Sequence, residues 1–237
     1  PMALRLRRRP LLLCMGQTSH HQLMAMPSKH QYLERQNIPV LVSWAYSQNA
    51  KQPSVGFDNR ASMRRLTEKV LDMGHRQISV ISGIIKGNDR AAQRVAGIRD
   101  AVFAFGDTAK ILGITETAYD IENGGDALEN LMQHTPRPSV VMCGNDVLAV
   151  GALLRAQKLG MRVPDDVSIT GFDDIELARI VSPPLATVHV PHGDMGRKAA
   201  IELTSIVEGN SLGASIELQS ALCLRESLQA FAPDAAQ

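Results

Sequence analysis

The chain has 237 residues, 44% of them hydrophobic, so it is long enough to bury a full core as one large domain or as two lobes. Its formal net charge of +1 argues against a surface dedicated to nucleic acid, because such a surface concentrates Lys and Arg on one face. The widely separated Cys14, Cys143 and Cys223 indicate neither a disulfide framework nor a zinc site, and they fit a reducing, cytoplasmic setting.

The first 50 residues show the weakest secondary-structure pattern. Apolar runs predict strands at residues 11–15 and 38–44, and residues 31–36 are interpreted as the end of a helix. The polar segment between the strands contains His20, His21 and His30, which have no partners at metal-ligand spacing. We therefore expect these histidines at the surface and predict no metal site.

From Val55 onward, short apolar runs alternate with segments of helical periodicity, which is typical of βαβ units around a parallel sheet. Three of the predicted helices are followed directly by a glycine, as expected where a left-handed residue ends a helix. The predicted helices cover residues 59–73, 90–105, 126–133, 146–159 and 192–207. The predicted strands cover residues 77–82, 115–119, 139–143, 167–172, 187–190 and 216–225.

Polar side chains follow two neighbouring apolar runs of this α/β pattern. The strand at 167–172 leads into Asp173 and Asp174, and the strand at 139–143 leads into Asn145 and Asp146. Open α/β sheets bind ligands at the carboxyl ends of their strands, so these groups are expected at one cleft. Asp146 and Asp174 are also interpreted as N-caps of the segments that follow them.

Short motifs in a fixed order give the chain a family resemblance. Together they are similar to the effector-binding core of the lactose-repressor/galactose-repressor (LacI/GalR) family of bacterial transcription regulators, over about residues 38–227. The motifs are Ser54-Val-Gly-Phe-Asp-Asn59, Gly74-His75-Arg76, Asp89-Arg90 with Arg94 and Gly97, Gly144-Asn145-Asp146, Leu148-Ala-Val-Gly151, Val163-Pro-Asp-Asp-Val-Ser168, Gly171-Phe-Asp-Asp174 and Pro183-Pro-Leu185.

The resemblance implies an α/β fold of two lobes, like that of periplasmic binding proteins, in which parallel sheets are flanked by helices. The N-terminal lobe is expected at residues 10–57 plus 190–214, and the C-terminal lobe at 58–189 plus 215–229. Residues 1–9 and 230–237 are expected to be tails. Family members also carry a helix-turn-helix headpiece, which we do not find in this sequence. Either the start of the first lobe is incomplete, or residues 1–37 rebuild it in an unusual way.

The resemblance also implies effector-contacting residues. It places Arg94 and Asp173 at positions where family members contact the effector, and a planar guanidinium suits paired hydroxyls or a carboxylate. Asn145 carries both a donor and an acceptor, as sugar hydroxyls require. For Arg94, an exposed helix charge that pairs with a neighbour is the alternative.

Three further residues are candidates for ligand binding with open alternatives. Tyr119 aligns with a family position that stacks an aromatic ring on the ligand, but a core tyrosine is equally compatible with the pattern. Arg90 lies one turn before Arg94 and either holds an acidic group of the ligand or decorates the surface. Trp44 follows the strand at 38–44 and either lines the cleft or packs in the core.

The expected function is ligand sensing without chemistry or cofactor. A sugar or sugar acid in the cleft would shift a homodimer between lobe arrangements, and a headpiece absent from this chain would contact DNA. Residues 42–46 and 55–59 resemble the gluconate-responsive branch, which favours a sugar acid. One alternative is a periplasmic transport receptor, although residues 5–15 make a poor signal peptide. The other is a doubly wound enzyme with Asp173 or Asp146 as base, for which no catalytic motif is found.

Overall fold

The structure is a computed structural model that describes residues 11–14, 40–46, 52–208, 210 and 215–232. Contacts divide the chain into two units. Unit one comprises the described residues of Pro1–Asp58 and Pro191–Gln219, and unit two comprises those of Asn59–Val190 and Ser220–Gln237. The chain therefore passes from one unit to the other after Asp58, after Val190 and after Gln219.

The described elements alternate between strands and helices along most of the chain. The strands are β1 (Leu11–Cys14), β2 (Val40–Ser43), β3 (Ser54–Gly56), β4 (Gln77–Gly83), β5 (Lys110–Thr117), β6 (Val140–Cys143), β7 (Ser168–Thr170), β8 (Thr187–His189), β9 (Ile216–Glu217) and β10 (Ala221–Cys223). The helices are α1 (Asn59–Asp72), α2 (Asp89–Phe105), α3 (Ile121–Leu131), α4 (Asp146–Lys158), α5 (Leu177–Ile180) and α6 (His192–Val207).

Unit one contains a parallel sheet of four strands in the order β1-β2-β3-β9. Helix α6 packs against β2 and β3. The side chains of Val40, Leu41, Val42 and Val55 are buried in this sheet. Because both faces of a parallel sheet are normally covered, the buried strand β2 has an unbroken apolar run, Val-Leu-Val, rather than an alternating pattern.

Unit two contains a second parallel sheet, with the strand order β5-β4-β6-β7. Helices α1 and α2 pack against each other, as do α3 and α4. The central strand β6 is fully buried along its length, which explains its unbroken Val-Val-Met-Cys sequence. Beyond β7, strand β8 pairs with β10 in antiparallel fashion. Isolated parallel bridges, Thr170–Ala186 and Asp173–His189, join the segment containing β8 to β7 and to the residues that follow β7.

The prediction of two α/β sheets with parallel strands is confirmed, and three element predictions need correction. Strand β5 begins at Lys110 rather than at residue 115, because this half-exposed strand lacks a strong apolar pattern. Helix α3 begins at Ile121 rather than at residue 126, since the Asp120 side chain caps it by accepting from the N–H of Asn123. The predicted helix end at 31–36 lies outside the described residues.

The third correction concerns residues 216–225, which were predicted as one strand. They form β9 and β10, which belong to different units and pair with different partners. Beyond β10, the backbone N–H of Phe231 donates to the carbonyl of Met73 at 2.8 Å. The segment after β10 therefore packs along the amino edge of the unit-two sheet.

Candidate ligand-binding site

The carboxyl ends of the unit-two strands bring several of the predicted site residues to one edge. Tyr119 follows β5, Asn145 follows β6 and Asp173 follows β7. Because all four strands of this sheet are parallel, these residues share the edge at which open α/β sheets bind ligands. Arg94 reaches the same edge from α2, which follows β4.

Arg94 donates a hydrogen bond from each of its three nitrogens. The acceptors are Oδ1 of Asn59 at 2.9 Å, the carbonyl of Gly144 at 2.6 Å and Oδ1 of Asp173 at 3.2 Å. Its guanidinium carbon lies 3.8 Å from the centroid of the Phe172 ring, a cation–π distance. Burial lowers the pKa of Arg94, and the Asp173 carboxylate opposes that shift. The guanidinium is therefore held in one orientation beside a counterion.

Asp173 has an unusual backbone conformation for an aspartate. Its φ is +111°, a left-handed value that L-residues adopt at a cost and that clusters at functional sites. Its N–H donates to the carbonyl of Val188 at 2.9 Å, and its carbonyl accepts from the N–H of Val190 at 3.4 Å. Strand β8 thus fixes the backbone of Asp173, while its side chain stays 17% exposed.

Asn145 is the N-cap of α4, a role that the sequence analysis wrongly assigned to Asp146. Its backbone is extended, and its side-chain carbonyl accepts from the N–H of Leu148 at 2.9 Å. The helix already includes Asp146, so that residue lies one position too late to cap it. The cap uses only the side-chain oxygen, so the amide NH2 group of Asn145 takes no part in it.

Asp146 is a fully buried carboxylate that connects three segments. Oδ1 accepts from the hydroxyl of Thr187 at 2.6 Å, and Oδ2 accepts from the N–H of Ile175 at 2.9 Å. Burial raises the pKa of Asp146 to about 7, although these two hydrogen bonds act against the shift. This side chain stabilises the loop after β7.

Asp174 is not the cap of a helix, contrary to the prediction. Helix α5 begins at Leu177, and no side chain caps it through a hydrogen bond. The carboxylate of Asp174 is only 1% exposed and accepts from Arg179 at 2.8 Å, Arg225 at 2.6 Å and Nδ1 of His189 at 2.9 Å. Burial alone would raise the pKa of Asp174, but the hydrogen bonds from Arg179, Arg225 and His189 hold it well below its usual range.

Tyr119 and Arg90 lie around the Arg94–Asp173 pair. The Tyr119 hydroxyl accepts from Nδ2 of Asn88 at 3.3 Å, and its ring covers Gly83 so closely that any side chain at position 83 would overlap it. Arg90 is half-buried in the first turn of α2, and its positive charge contributes to the lowered pKa of Arg94. Both residues are therefore neighbours of the same edge.

Trp44 belongs to unit one. It follows β2 with a φ of +71°, and its N–H donates to the carbonyl of Val55 at 3.3 Å. Its ring contacts that of His192 in a tilted arrangement, with centroids 4.9 Å apart and an interplanar angle of 45°. The half-buried indole thus packs against the start of α6 within its own unit.

Two residues near this site were missed as partners in the sequence analysis. Asn59 was quoted as part of a family motif, and Arg225 fell inside a segment predicted to be a strand. Each contacts a residue far away in sequence: Asn59 accepts from Arg94, and Arg225 donates to Asp174. No local pattern predicts such pairings, since they arise only when the sheet is assembled.

The described part of the chain offers no cluster of three or more His, Cys, Asp or Glu side chains arranged to hold a metal ion. In the same ranges, no helix combines the length and apolarity that crossing a membrane requires. Cys143 and Cys223 are free thiols, and burial raises the pKa of both.

Comparisons with known proteins agree on the kind of domain. Residues 67–228 match the family model described as periplasmic binding protein-like domain. The ribose operon repressor of Haemophilus influenzae is 37% identical over 164 residues, which are 68% of this chain and 49% of that protein. The chain thus spans about half the length of the curated relatives that it matches.

Solved structures lead to the same grouping. A putative LacI transcriptional regulator from Bacillus cereus subsp. cytotoxis superposes with a TM-score of 0.79 at 30% identity, covering 86% of this chain and 72% of that one. The transcriptional regulator CelR in complex with cellobiose gives a TM-score of 0.79 at 25% identity, covering 92% and 65%. This chain belongs to the LacI/GalR family, through its periplasmic-binding-protein-like domain.

Proposed function

We propose that this domain senses a sugar or sugar acid at the carboxyl edge of the unit-two sheet and thereby controls the binding of a regulator to its operator. The observation that carries the proposal is the buried Arg94–Asp173 pair at that edge. The two relatives named above as an operon repressor and a cellobiose-bound regulator support the same class of function.

The chemistry of the edge suits a hydroxylated ligand. A sugar hydroxyl both donates and accepts, and the pair presents a guanidinium donor next to a carboxylate acceptor. Asn145 would add an amide donor, and the Tyr119 ring would cover an apolar face of the sugar. We propose Arg94, Asp173, Asn145 and Tyr119 as ligand contacts, whereas contact by Trp44 stays a prediction.

Charge balance bears on the choice between neutral sugars and sugar acids. Asp173 already compensates the charge of Arg94, so a neutral sugar would bring no unbalanced charge to the edge. A sugar acid would need a further cation, and Arg90 is the candidate one turn away on α2. Replacing Arg90 should therefore weaken a sugar acid selectively.

The proposed mechanism is a shift between conformations. A ligand can move such an equilibrium only through its different affinities for the two states. We propose that the two units act as the lobes, which the sequence predicts at residues 10–57 plus 190–214 and 58–189 plus 215–229, with residues 215–219 in the first lobe because β9 pairs with β3. We further propose that the protein acts as a cytoplasmic homodimer and that a helix-turn-helix headpiece of the kind family members carry contacts DNA. No turnover of the ligand is proposed.

An apolar surface on unit two supports the homodimer. Leu154 of α4 is 46% exposed, and Leu177 and Ile180 of α5 are 37% and 69% exposed. Helices α4 and α5 contact each other, so these side chains lie on adjoining elements. Adjoining exposed apolar residues are typical of association surfaces.

Isothermal titration calorimetry with D-ribose, cellobiose, D-glucose and D-gluconate tests the proposed function. We expect one of these sugars to bind, and Asp173→Asn to weaken it by about tenfold or more, as loss of a charged hydrogen-bond partner does. Arg90→Gln should weaken only D-gluconate. Arg64→Gln, which removes an exposed ion pair on α1, serves as the control. Binding that is equal in wild type and Asp173→Asn would contradict the proposed site.

A further inference from the structure

The chain passes between the two units at three points, and near each of these passages a residue of unit two is hydrogen-bonded to Arg94, Asp173 or Asp174. The first passage ends at Asn59, the first residue of unit two. Its side-chain oxygen accepts from Nε of Arg94 at 2.9 Å, and Asn59 is itself buried. The Arg94 guanidinium at the candidate site is thus hydrogen-bonded directly to the first residue of α1.

The second passage follows β8. The N–H of Asp173 donates to the carbonyl of Val188 in β8, and the carbonyl of Asp173 accepts from the N–H of Val190, the last residue of unit two before the chain leaves it. A displacement of Asp173 would therefore break or bend hydrogen bonds within one residue of this passage.

The third passage returns to unit two at Ser220 and continues into β10. Asp174 reaches this segment, since its carboxylate accepts from Arg225 at 2.6 Å and lies 3.8 Å from the sulfur of Cys223. The same carboxylate accepts from His189, the final residue of β8. One buried side chain therefore bonds to the segments at both the second and the third passage.

The two aspartates are fixed together by their backbone. Both have positive φ values, +111° at Asp173 and +56° at Asp174, which L-residues hold only where the surroundings impose them. The hydrogen bonds of the buried Asp174 carboxylate supply part of that constraint. The side chain of Asp173 consequently contacts Arg94, while the side chain of the adjacent Asp174 contacts the segments of the second and third passages.

We propose that Asp174 is a positioning residue: it holds Asp173 in place beside Arg94 and ties this pair to the segments of the second and third passages. A ligand that competes for Arg94 or Asp173 would then act on those segments through direct hydrogen bonds. The part of this inference that concerns the ligand rests on the proposed function, whereas the part that concerns the ligand-free protein does not.

Hydrogen–deuterium exchange of the ligand-free protein tests the positioning role. In Asp174→Asn we expect exchange to accelerate about tenfold in peptides 186–190 and 221–226, with α3 unchanged. Asp166→Asn is the matched control, because Asp166 pairs with Arg162 elsewhere in unit two. Arg225→Lys keeps the charge and should preserve most of the protection, whereas Arg225→Met should reproduce Asp174→Asn. Faster exchange throughout unit two, or no change in either peptide, would overturn the proposal.

A second arm uses cellobiose and D-ribose as probes. If either binds, it should alter exchange in both peptides of the wild-type protein, and Asp174→Asn should bind it about tenfold more weakly. Binding of equal strength in wild type and Asp174→Asn would overturn the positioning role. If neither probe binds the wild type, the proposed function fails for these sugars, while the ligand-free exchange still decides the role of Asp174.

Discussion

At the scale of single residues, Arg94 concentrates the most interactions at the candidate site. Its three nitrogens bond to acceptors on three different segments, while Phe172 lies under the guanidinium plane. A planar fork can satisfy such acceptors together, whereas an ammonium group is a single point charge on a flexible stem. The geometry therefore depends on arginine rather than on positive charge alone.

Arg94→Lys should destabilise the protein by about 2–4 kcal/mol, because buried acceptors lose charge-assisted hydrogen bonds. Urea unfolding, monitored by circular dichroism, measures this change. Arg64→Lys, in an exposed i,i+4 pair, should change stability by less than about 0.5 kcal/mol. Equal effects of the two substitutions would contradict the interactions described for Arg94.

Gly171 provides a residue-scale test of packing around Asp146. A Cβ at position 171 would overlap Oδ1 of Asp146, which cannot retreat without losing its hydrogen bond from Thr187. Gly171→Ala should therefore cost about 1–3 kcal/mol, as overpacking does. Gly193→Ala is the control, since a Cβ there meets nothing within 4 Å in helix α6 and should be neutral or slightly stabilising. Equal thermal stability of the two variants would contradict this packing.

At the scale of elements, the sequence predicts helices better than the short strands around the unit boundary. The range predicted for α6, residues 192–207, agrees with the structure because its helical periodicity is strong. Strands β9 and β10 are too short for a periodic signal, and only tertiary pairing separates them. The cap of α4 was misassigned because Asn145 and Asp146 are both good caps, and the backbone conformation alone distinguishes them.

The exposed apolar residues of α4 and α5 lead to a prediction about assembly. If this surface forms the dimer, Ile180→Asp should shift the protein toward monomer, because a buried unpaired carboxylate is costly at an interface. Ile201→Asp in α6 is the control, as Ile201 is similarly exposed, at 61%. Sedimentation equilibrium measures the association. An Ile180→Asp variant that remains as dimeric as Ile201→Asp would exclude this surface.

At the scale of the whole molecule, the resemblance predicted the fold class and the family, and both are confirmed. The position of Asp173 beyond a buried strand follows from the sequence pattern, and its contact with Arg94 is found in the structure. The contacts of Asn59 with Arg94 and of Asp174 with Arg225 did not follow, because these pairs are 35 and 51 residues apart in sequence. Ligand contact by the predicted site residues stays a prediction.

Two buried groups give stability opposite dependences on pH. Burial lowers the pKa of His75, whose Nε2 donates to the carbonyl of Gln229 and whose Nδ1 lies 2.9 Å from the Ser139 hydroxyl. As pH falls, His75 is therefore protonated in the unfolded chain before it is protonated in the folded one. Its contribution to the free energy of unfolding is present above pH 6.5 and is lost as pH falls below that value. The pKa of Asp146 is raised to about 7, so its contribution to the free energy of unfolding is largest below pH 3.8 and is lost as pH rises to about 7.

Unfolding free energies of His75→Gln and Asp146→Asn, measured at about pH 5 and about pH 8, test these signs. Relative to His75→Gln, the wild type should lose stability on acidification. Relative to Asp146→Asn, it should gain stability on acidification. If the difference in unfolding free energy between wild type and one of these variants is the same at both pH values, the burial described for the substituted residue is contradicted.

The most direct test of the account is a crystal structure of the protein grown with whichever sugar of the calorimetry panel binds. We expect sugar hydroxyls within hydrogen-bonding distance of Arg94, Asp173 and the Asn145 amide, at the carboxyl edge of the unit-two sheet. A sugar bound elsewhere, with the Arg94–Asp173 pair untouched, would contradict the central claim.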